Sequence, residues 1–179
     1  MKMRLIDETA VLSLTSGILL ALALSGGLSH AAERPQLAVF GLEFHDSSHE
    51  GELNGPRADE TERLALASQE FLRLLEASGQ YDIVDLSGEA AAIEAMRPIE
   101  RCNGCEIDMA RRHDADLAVF GIVNKVSNLI LDIQIYQRDV ETAKVVKYAR
   151  ASIRGNNDKS WMRGLQWLMK NKFLSEEKS

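Results

Sequence analysis

Two identical apolar segments constrain the fold of this 179-residue chain more than any other feature of its sequence. The pentad LAVFG occurs at residues 37–41 and again at residues 117–121. Each pentad belongs to a run of consecutive apolar residues, which is typical of a strand buried on both faces of a sheet. The repeat therefore predicts two central strands in equivalent settings. The flanking sequences differ, so the pentads do not indicate an internal duplication.

Hydrophobic periodicity places the remaining elements around these two strands. The clearest helix is predicted over residues 59–78, where apolar residues recur at helical spacing and Gly79 is placed to end it. In chain order the predicted elements are strand 36–44, loop 45–57, helix 59–78, strand 81–86, helix 88–96, helix 106–112, strand 117–123, strand 129–137, strand 144–154 and a last helix from residue 158.

This order, β-α-β-α-α-β-β-β-α, predicts the sheet topology. Strands that are joined through a helix should be parallel, with a right-handed crossover. The last three strands are joined by short turns and should form an antiparallel meander. We therefore predict an α/β (α+β) fold with one mixed five-stranded sheet, strand order 2-1-3-4-5, and helices packed on the sheet.

The first 31 residues have the parts of a secretory signal peptide. A basic start at residues 1–4 precedes an apolar run over residues 11–24, and Ser29 and Ala31 supply the small residues that a signal peptidase reads. The apolar run is too short for a stable membrane span, so we expect no membrane insertion once the leader is cleaved. The sequence thus predicts one exported, periplasmic domain over residues 32–179, with a disordered tail from about residue 175.

The composition is that of a globular domain with an excess of acid. Hydrophobic residues make up 45% of the chain and charged residues 27%, which argues against disorder. The formal net charge is −6. Because nucleic-acid binding depends on clustered lysine and arginine, we expect no nucleic-acid partner.

Cys102 and Cys105 form the sharpest short motif, CNGC. In an oxidising compartment the simplest prediction is a structural disulfide across an Asn-Gly turn. A thioredoxin-type redox pair is the alternative, but that arrangement places a strand before the first cysteine, and here helix and irregular chain are predicted instead. Covalent haem needs a histidine where Glu106 stands, and zinc needs two more ligands, of which only His113 is close in sequence.

The segment HDSSHE at residues 45–50 has suitable chemistry for a metal site. Two histidines and two acids could chelate an ion, but a loop does not aim both imidazoles at one point, so we predict no metal and no cofactor. The chain also lacks a Gly-x-Ser-x-Gly motif and a glycine-rich phosphate loop. No catalytic residue is therefore predicted, although a generic pair of catalytic carboxylates stays open.

The last two strands carry the most distinctive polar surface. Strand 129–137 alternates between apolar and polar residues, and strand 144–154 should lie beside it. One face then presents two tyrosines among arginines, a composition enriched at interface hot spots. The alternative is an ordinary exposed face, covered in part by the last helix. The predicted interaction surface consists of Asp132, Gln134, Tyr136, Arg138, Lys144, Tyr148 and Arg150.

Three stretches carry a resemblance to a known family: CNGCEIDMARRHDADLAVFGIV at 102–123, LDIQIYQRDVETAKVV at 131–146, and SIRGNNDKSW at 152–161. By their order and spacing, the chain resembles an uncharacterised family of secreted bacterial proteins. That domain is similar to the amino-terminal domain of the translocation protein TolB and to CsgG-like periplasmic domains. The resemblance implies envelope assembly, scaffolding or binding, without an established activity.

Two positions depart from that family's pattern. His113 stands where a glycine commonly ends the helix, and Ala143 stands where glycine usually follows the turn threonine. If the backbone has a positive φ there, alanine costs about 1 kcal/mol more than glycine, and histidine is tolerated better. These departures concern local turns and leave the predicted fold unchanged.

We therefore expect an exported periplasmic accessory or binding module that is not an enzyme and that contacts an unidentified envelope protein. This expectation rests on a complete set of fold elements without a catalytic cluster, together with the hairpin surface. Two alternatives remain open. One is a periplasmic thiol-disulfide redox protein that uses Cys102 and Cys105, and the other is a binder of a small ligand or metal.

Overall fold

The computed structural model describes residues 33–175, which form a five-stranded mixed sheet with helices packed on it. The strand order β2-β1-β3-β4-β5 confirms the prediction, with β1 parallel to β2 and β3, and with β4 antiparallel to β3 and β5. The predicted leader, residues 1–31, and the predicted tail after residue 175 lie outside the described residues. The strands are β1 Gln36–Asp46, β2 Asp82–Ile83, β3 Leu117–Ser127, β4 Ile130–Asp139 and β5 Val145–Arg154.

Helices cover the sheet on both faces. Helices α2 and α5 bury Phe71 and Trp161 against one face, and α4 buries Ile107 against the other. None of these helices is long and apolar enough to cross a membrane. The helices are α1 His49–Asn54, α2 Ala58–Ser78, α3 Ala90–Ala95, α4 Cys105–Arg112 and α5 Asp158–Leu168, with 3-10 turns at Ser87–Glu89 and Ile99–Arg101 and a π-helical turn, Met169–Phe173, after α5.

The two LAVFG pentads lie side by side on β1 and β3. Their first three residues pair in parallel register, and both strands lie inside the sheet, as predicted. The settings are not equivalent, because β3 is paired along both edges and β2 pairs with β1 only at Gln36 and Leu37. Their glycines differ as well. Gly41 lies in a β-bulge with a φ of 76°, a conformation that glycine adopts without strain. Gly121 is needed for close packing, because a Cβ there would lie 2.5 Å from Leu42 Cδ2.

Part of the predicted loop 45–57 is helical, so that prediction was wrong for helix α1. Ser48 is the N-cap, and its hydroxyl accepts a hydrogen bond from Gly51 N at 3.1 Å. The Asp46 carboxylate accepts a hydrogen bond from Ser48 N at 2.9 Å. The glycines and proline of the segment suggested irregular chain, but the capping serine starts a helix that includes Gly51 and ends before Gly55 and the proline.

One of the two proposed positive-φ positions is confirmed. Ala143 has a φ of 56° in the β4–β5 turn. His113 has a φ of −106°, and the left-handed residue after α4 is Asp114, with a φ of 54°. Helix α4 still ends at Arg112, the predicted end, and the left-handed residue follows at position 114 instead of 113.

Strand β2 is much shorter than the predicted strand 81–86, because only Asp82 and Ile83 pair with β1. Tyr81 is buried, and its hydroxyl contacts Gln137 Oε1 at 3.2 Å. The chain then turns away, with Asp85 accepting a hydrogen bond from Ser87 N at 2.9 Å. Within residues 33–175, most of the outer edge of β1 therefore has no partner strand.

Side chains take the place of that missing strand. Arg97 donates to the carbonyl oxygens of Phe40 and Leu42, each at 3.2 Å. The Ser68 hydroxyl accepts a hydrogen bond from Leu42 N at 3.2 Å. Glu43 is 4% exposed and pairs with Arg97 at 3.2 Å. We refer to this stretch, made of Phe40, Leu42, Glu43, Ser68 and Arg97, as the sealed edge.

Candidate interaction surface

The β4–β5 hairpin brings most of the predicted interaction residues together on one face of the sheet. Tyr136 pairs with Tyr148, and Gln134 pairs with Arg150. Directly paired side chains share a face, so these four form a continuous patch. Lys144 lies exposed just before β5. Val146 has no direct partner on β4, because the register shifts between Lys147 and Val145, but it is exposed beside Tyr148 in this region of β5. We use the term hairpin face for the seven predicted residues together with Val146: Asp132, Gln134, Tyr136, Arg138, Lys144, Val146, Tyr148 and Arg150.

A chain of hydrogen bonds orders the hairpin face. The hydroxyls of Tyr136 and Tyr148 both contact Gln134 Oε1, at 2.6 and 3.4 Å. The Gln134 amide then donates to Asp132 Oδ1 at 2.7 Å. Asp132 Oδ2 accepts from Arg150 Nη2 at 3.0 Å. The polar groups therefore fix one another, and the exposed side chains are held in defined positions.

Aromatic packing and charge reinforce this arrangement. The ring centroids of Tyr136 and Tyr148 lie 4.9 Å apart, and Phe120 stacks under Tyr136 at 5.3 Å. Burial, and then the neighbouring Tyr148, raise the pKa of Tyr136. The hydrogen bond and charge of Asp132 raise the pKa of Arg150. At neutral pH the face therefore presents a protonated Tyr136 and a cationic Arg150.

Exposure is concentrated on β5. Tyr148 is 50% exposed and Val146 55%, whereas Asp132 is only 3% exposed. The alternation of β4 suggested an exposed Asp132, but Arg150 and Gln134 contact its carboxylate. Asp132 therefore supports the surface from below, and a partner would meet Val146, Tyr148 and Arg150.

Arg138 joins the hairpin to helix α4. Its guanidinium pairs with the fully buried Glu106 carboxylate. It also donates to the Ala143 carbonyl through Nε and Nη2, at 3.1 and 2.7 Å. Arg138 thereby fixes the β4–β5 turn to the body of the domain, and its role is support for the face.

Cys102 and Cys105 form a disulfide bond. A 3-10 turn precedes Cys102, and Cys105 is the first residue of α4, so the strand of a thioredoxin-type site is missing. Glu106 Oε2 lies 3.5 Å from Cys102 Sγ. These three residues form the one cluster of potential metal ligands within residues 33–175, but metal binding by cysteine requires the thiolate, which a disulfide does not offer.

The structure separates the four candidate ligands of the HDSSHE segment. His45 Nδ1 lies 3.5 Å from Glu100, and the highly exposed His49 lies 3.8 Å from Glu52. Asp46 and Glu50 point elsewhere and contact the ammonium of Lys125. An ammonium thus lies between the two carboxylates that might have held a metal ion.

Lys125 is the centre of a buried ion cluster that the sequence analysis missed. Its side chain is fully buried, and Nζ contacts Glu60 at 2.7 Å, Asp46 at 2.9 Å and Glu50 at 3.3 Å. Burial alone would lower the pKa of Lys125, but its hydrogen bonds to Glu60, Asp46 and Glu50 outweigh burial and raise it. Strand β3 extends beyond the predicted end at residue 123, and burial alternates in this extension, which places Lys125 inward. The residues there are mostly polar, so no pattern in the sequence indicated that Lys125 is buried.

Asn156 extends this cluster toward helix α5. Its amide donates to Glu60 and its carbonyl oxygen accepts from Trp161 Nε1 at 3.0 Å and from Arg63 Nη1 at 3.1 Å. Asn157 caps α5 by accepting from Ser160 N at 3.0 Å. The SIRGNNDKSW stretch therefore ties β5, α2 and α5 together by capping and buried hydrogen bonds.

A family model matches most of the chain. It is the model of DUF3280, described as a protein of unknown function (DUF2380), and it matches residues 35–173. The chain belongs to this family. A search of curated proteins returned no match.

Several solved structures are similar to this DUF3280 chain. The C-terminal domain of LpoB from Escherichia coli is 15% identical, with 66% of this chain and 82% of that chain covered and a TM-score of 0.49. Lipoprotein GNA1162 from Neisseria meningitidis is 16% identical, with coverages of 69% and 83% and a TM-score of 0.45. A PelC dodecamer from Paraburkholderia phytofirmans is 14% identical, with coverages of 76% and 86% and a TM-score of 0.42. Likenesses this distant assign no function.

Proposed function

We propose that this chain is an exported, non-enzymatic binding module that contacts a protein partner in the cell envelope through the hairpin face. The observation that carries the proposal is the exposure of Val146, Tyr148 and Arg150 on an ordered hydrogen-bonded support. Tyrosine and arginine are enriched at interface hot spots. A surface that is already ordered loses less conformational entropy on binding.

Export and the narrower family likeness belong to this proposal. The leader predicted over residues 1–31 supports a periplasmic location, and a disulfide suits an oxidising compartment. The resemblance to TolB and CsgG-like domains stays a prediction. A fusion of the first 40 or so residues to alkaline phosphatase tests export directly, because that enzyme needs its disulfides to become active.

Site-specific photo-crosslinking tests the hairpin face. A photoreactive amino acid replaces Tyr148 in one variant and Leu66 of helix α2 in the control, two side chains that are equally exposed, at 50%. Crosslinking in intact cells should yield a discrete adduct from position 148 and none from position 66. The partner identified by mass spectrometry should then bind the purified chain in vitro.

The same purified pair allows a direct check of the contact. Replacing Val146 and Tyr148 by serine should weaken binding by about tenfold or more, the range of a lost hot spot. Both side chains are exposed, so the thermal unfolding midpoint should hardly change. Equal crosslinking from positions 148 and 66, or unchanged binding by the double variant, would remove the hairpin face from the proposal.

A further inference from the structure

Charge is distributed very unevenly along this chain. Residues 143–175 contain eight lysines and arginines and one acid, a formal charge of +7, although the whole chain carries −6. These residues form the strand β5, the helix α5 and the π-helical turn. One end of the sheet is therefore strongly basic in an acidic protein.

A groove runs along this basic region, between β5 and α5. Its volume is about 920 Å³, and every residue that lines it is basic or uncharged. Trp167 is 51% exposed, with Lys172 Nζ 5.5 Å from its ring centroid. We refer to this site as the β5 groove, and its principal lining residues are Arg150, Ser152, Arg154, Arg163, Trp167 and Lys172.

The backbone of β5 opens into the groove. Strand β5 is the last strand of the sheet, so in the described part of the chain one of its edges has no partner strand. In an antiparallel ladder, alternate residues direct both N–H and C=O away from the paired strand. Lys172 Nζ donates to the Arg150 carbonyl at 3.0 Å, which shows that Arg150 is one of these residues. By alternation Tyr148, Ser152 and Arg154 share this direction.

We propose that β5 accepts an extended acidic segment of a protein partner by strand addition. The segment's backbone would pair with the outward groups of β5, in the manner of β-augmentation. Its carboxylates would meet Arg154, Arg163 and Lys172, and an apolar side chain would pack on Trp167. This inference rests on the proposed function and names the chemistry of the partner.

The features of the groove favour this occupant over others. A second copy of the chain pairing through β5 would place arginines and lysines opposite one another, which is unfavourable. A nucleic acid or an anionic lipid surface could neutralise the side chains, but neither supplies the alternating donors and acceptors that an open strand edge requires. An acidic peptide strand satisfies both requirements.

A synthetic peptide tests the pairing itself. The probe is a capped peptide of about eight residues with alternating glutamate and valine, a length typical of a strand. Trp167 fluorescence reports binding, and Trp167→Phe, which keeps the buried Trp161, should abolish the signal. A control peptide with the same side chains carries N-methyl groups at alternate backbone nitrogens. The affinity of this control peptide should be lower by at least about tenfold, because it lacks the backbone donors.

Protein variants separate backbone pairing from charge. Ser152→Pro removes an outward N–H at a strand edge, where proline is tolerated, and should weaken binding while Ser152→Ala does not. Arg154→Glu with Arg163→Glu should abolish binding. Lys159→Glu with Lys170→Glu makes the same change in net charge at exposed residues outside the groove. This control variant should retain most of the peptide binding. Circular dichroism of each variant confirms folding.

Each adverse result has a distinct meaning. Equal binding of the N-methylated peptide, or no effect of Ser152→Pro, would overturn strand addition. Tighter binding of a single-stranded DNA oligonucleotide or of phosphatidylglycerol vesicles than of the peptide would overturn an acidic protein as the occupant. If the peptide fails while the Tyr148 crosslink persists, this inference fails and the proposed function stands. If the crosslink fails while the peptide binds, the hairpin face alone is refuted.

Discussion

The two edges of the sheet place charged side chains in opposite settings. At the sealed edge, Arg97 donates to two β1 carbonyls and pairs with the buried Glu43. At the β5 edge, Arg154 and Arg163 are exposed and line an open groove. An unpaired strand edge invites association, and proteins protect it either by covering it or by placing charge on it. The first solution closes an edge, whereas the second leaves it accessible to an oppositely charged strand.

The buried charges on the β1 side form two groups, one at the sealed edge and one around Lys125. Glu43 also accepts from Ile99 N at 2.7 Å, which fixes the segment before the disulfide to β1. At the end of β1, Asp46 pairs across the sheet with Lys125 and accepts from its ammonium. Charges here hold elements together, and we expect their removal to reduce stability, whereas charges at the β5 edge should matter for binding.

The largest expected effect comes from the Lys125 cluster. Lys125→Met leaves the buried Glu60 without its cation, and at neutral pH it should cost about 3–5 kcal/mol of unfolding free energy. Lys144→Met, at an exposed lysine beside β5, should change it by less than about 0.5 kcal/mol. Urea denaturation measures both values. Similar effects of the two changes would contradict the contrast between the edges.

The pH dependence of that effect has a definite sign. Burial raises the pKa of Asp46, but hydrogen bonds from Ser48 and Lys125 outweigh it and place the pKa below the ordinary 3.8. Hydrogen bonds from Asn128 and Lys125 lower the pKa of Glu50 below 4.5. A lowered folded-state pKa gives stability that is present above the ordinary value and is lost as the pH falls through the folded value.

The wild-type chain should therefore lose stability as the pH falls below about 4.5. In Lys125→Met the carboxylates lack their cation, so protonation relieves the defect and the difference from wild type should shrink on acidification. Urea titrations at neutral pH and at a pH between the ordinary and lowered values measure this difference. If the difference in unfolding free energy between the two proteins increased toward low pH, the ion cluster would not account for the destabilisation by Lys125→Met.

Opening the sealed edge should have the next largest effect. Arg97→Ala leaves two β1 carbonyls without their side-chain donor and the buried Glu43 carboxylate without its cation, and should cost about 3 kcal/mol. Arg154→Ala on β5 is the matched control and should cost less than about 0.5 kcal/mol. Chemical denaturation of both variants measures the two changes in unfolding free energy. Light scattering of the Arg97 variant should also show increased self-association, because an uncovered strand edge becomes available.

Reduction of the disulfide should have a smaller effect. The bridge between Cys102 and Cys105 closes a very short loop, which on the loop-entropy model is worth about 2 kcal/mol or less. Thermal melts with and without a phosphine reductant measure this, and the Cys102→Ala/Cys105→Ala double variant controls for the reductant.

The same preparation tests the redox alternative, which stays a hypothesis. A structural bridge should show no disulfide exchange with insulin beyond the rate of the double-alanine variant. Rapid exchange would favour a thiol-disulfide role for Cys102 and Cys105.

The smallest expected effect lies in the turn that leads into β5. Ala143 has a positive φ, so Ala143→Gly should stabilise the chain by about 1 kcal/mol. Ala65→Gly, at an exposed position inside α2, should destabilise it by about 1 kcal/mol. Opposite signs of the two changes in unfolding free energy would confirm that backbone conformation is the cause. A destabilising Ala143→Gly would show that the turn is not strained.

Local patterns were sufficient to predict much of this structure. Alternation and turn lengths predicted the sheet order, and the LAVFG repeat predicted two strands inside the sheet, because these signals depend only on nearby residues. The predicted equivalence of the two strands was wrong, because β2 pairs with only two residues of β1. The pairing of Tyr136 with Tyr148 followed from the hairpin in the same way. The basic character of residues 143–175 could also have been read from the sequence, but a net charge taken over the whole chain concealed it.

Contacts between distant residues were decided only by the tertiary structure. Lys125 and Glu60 are 65 residues apart, and Arg97 reaches β1 carbonyls more than 50 residues away. No periodicity encodes such pairs, because they depend on where packed elements place their side chains. The short β2, which leaves side chains to cover the sealed edge, was likewise not predicted. The sequence by itself thus determined which segments form strands and helices, and the folded arrangement determined which charges are buried and which strand edge stays open.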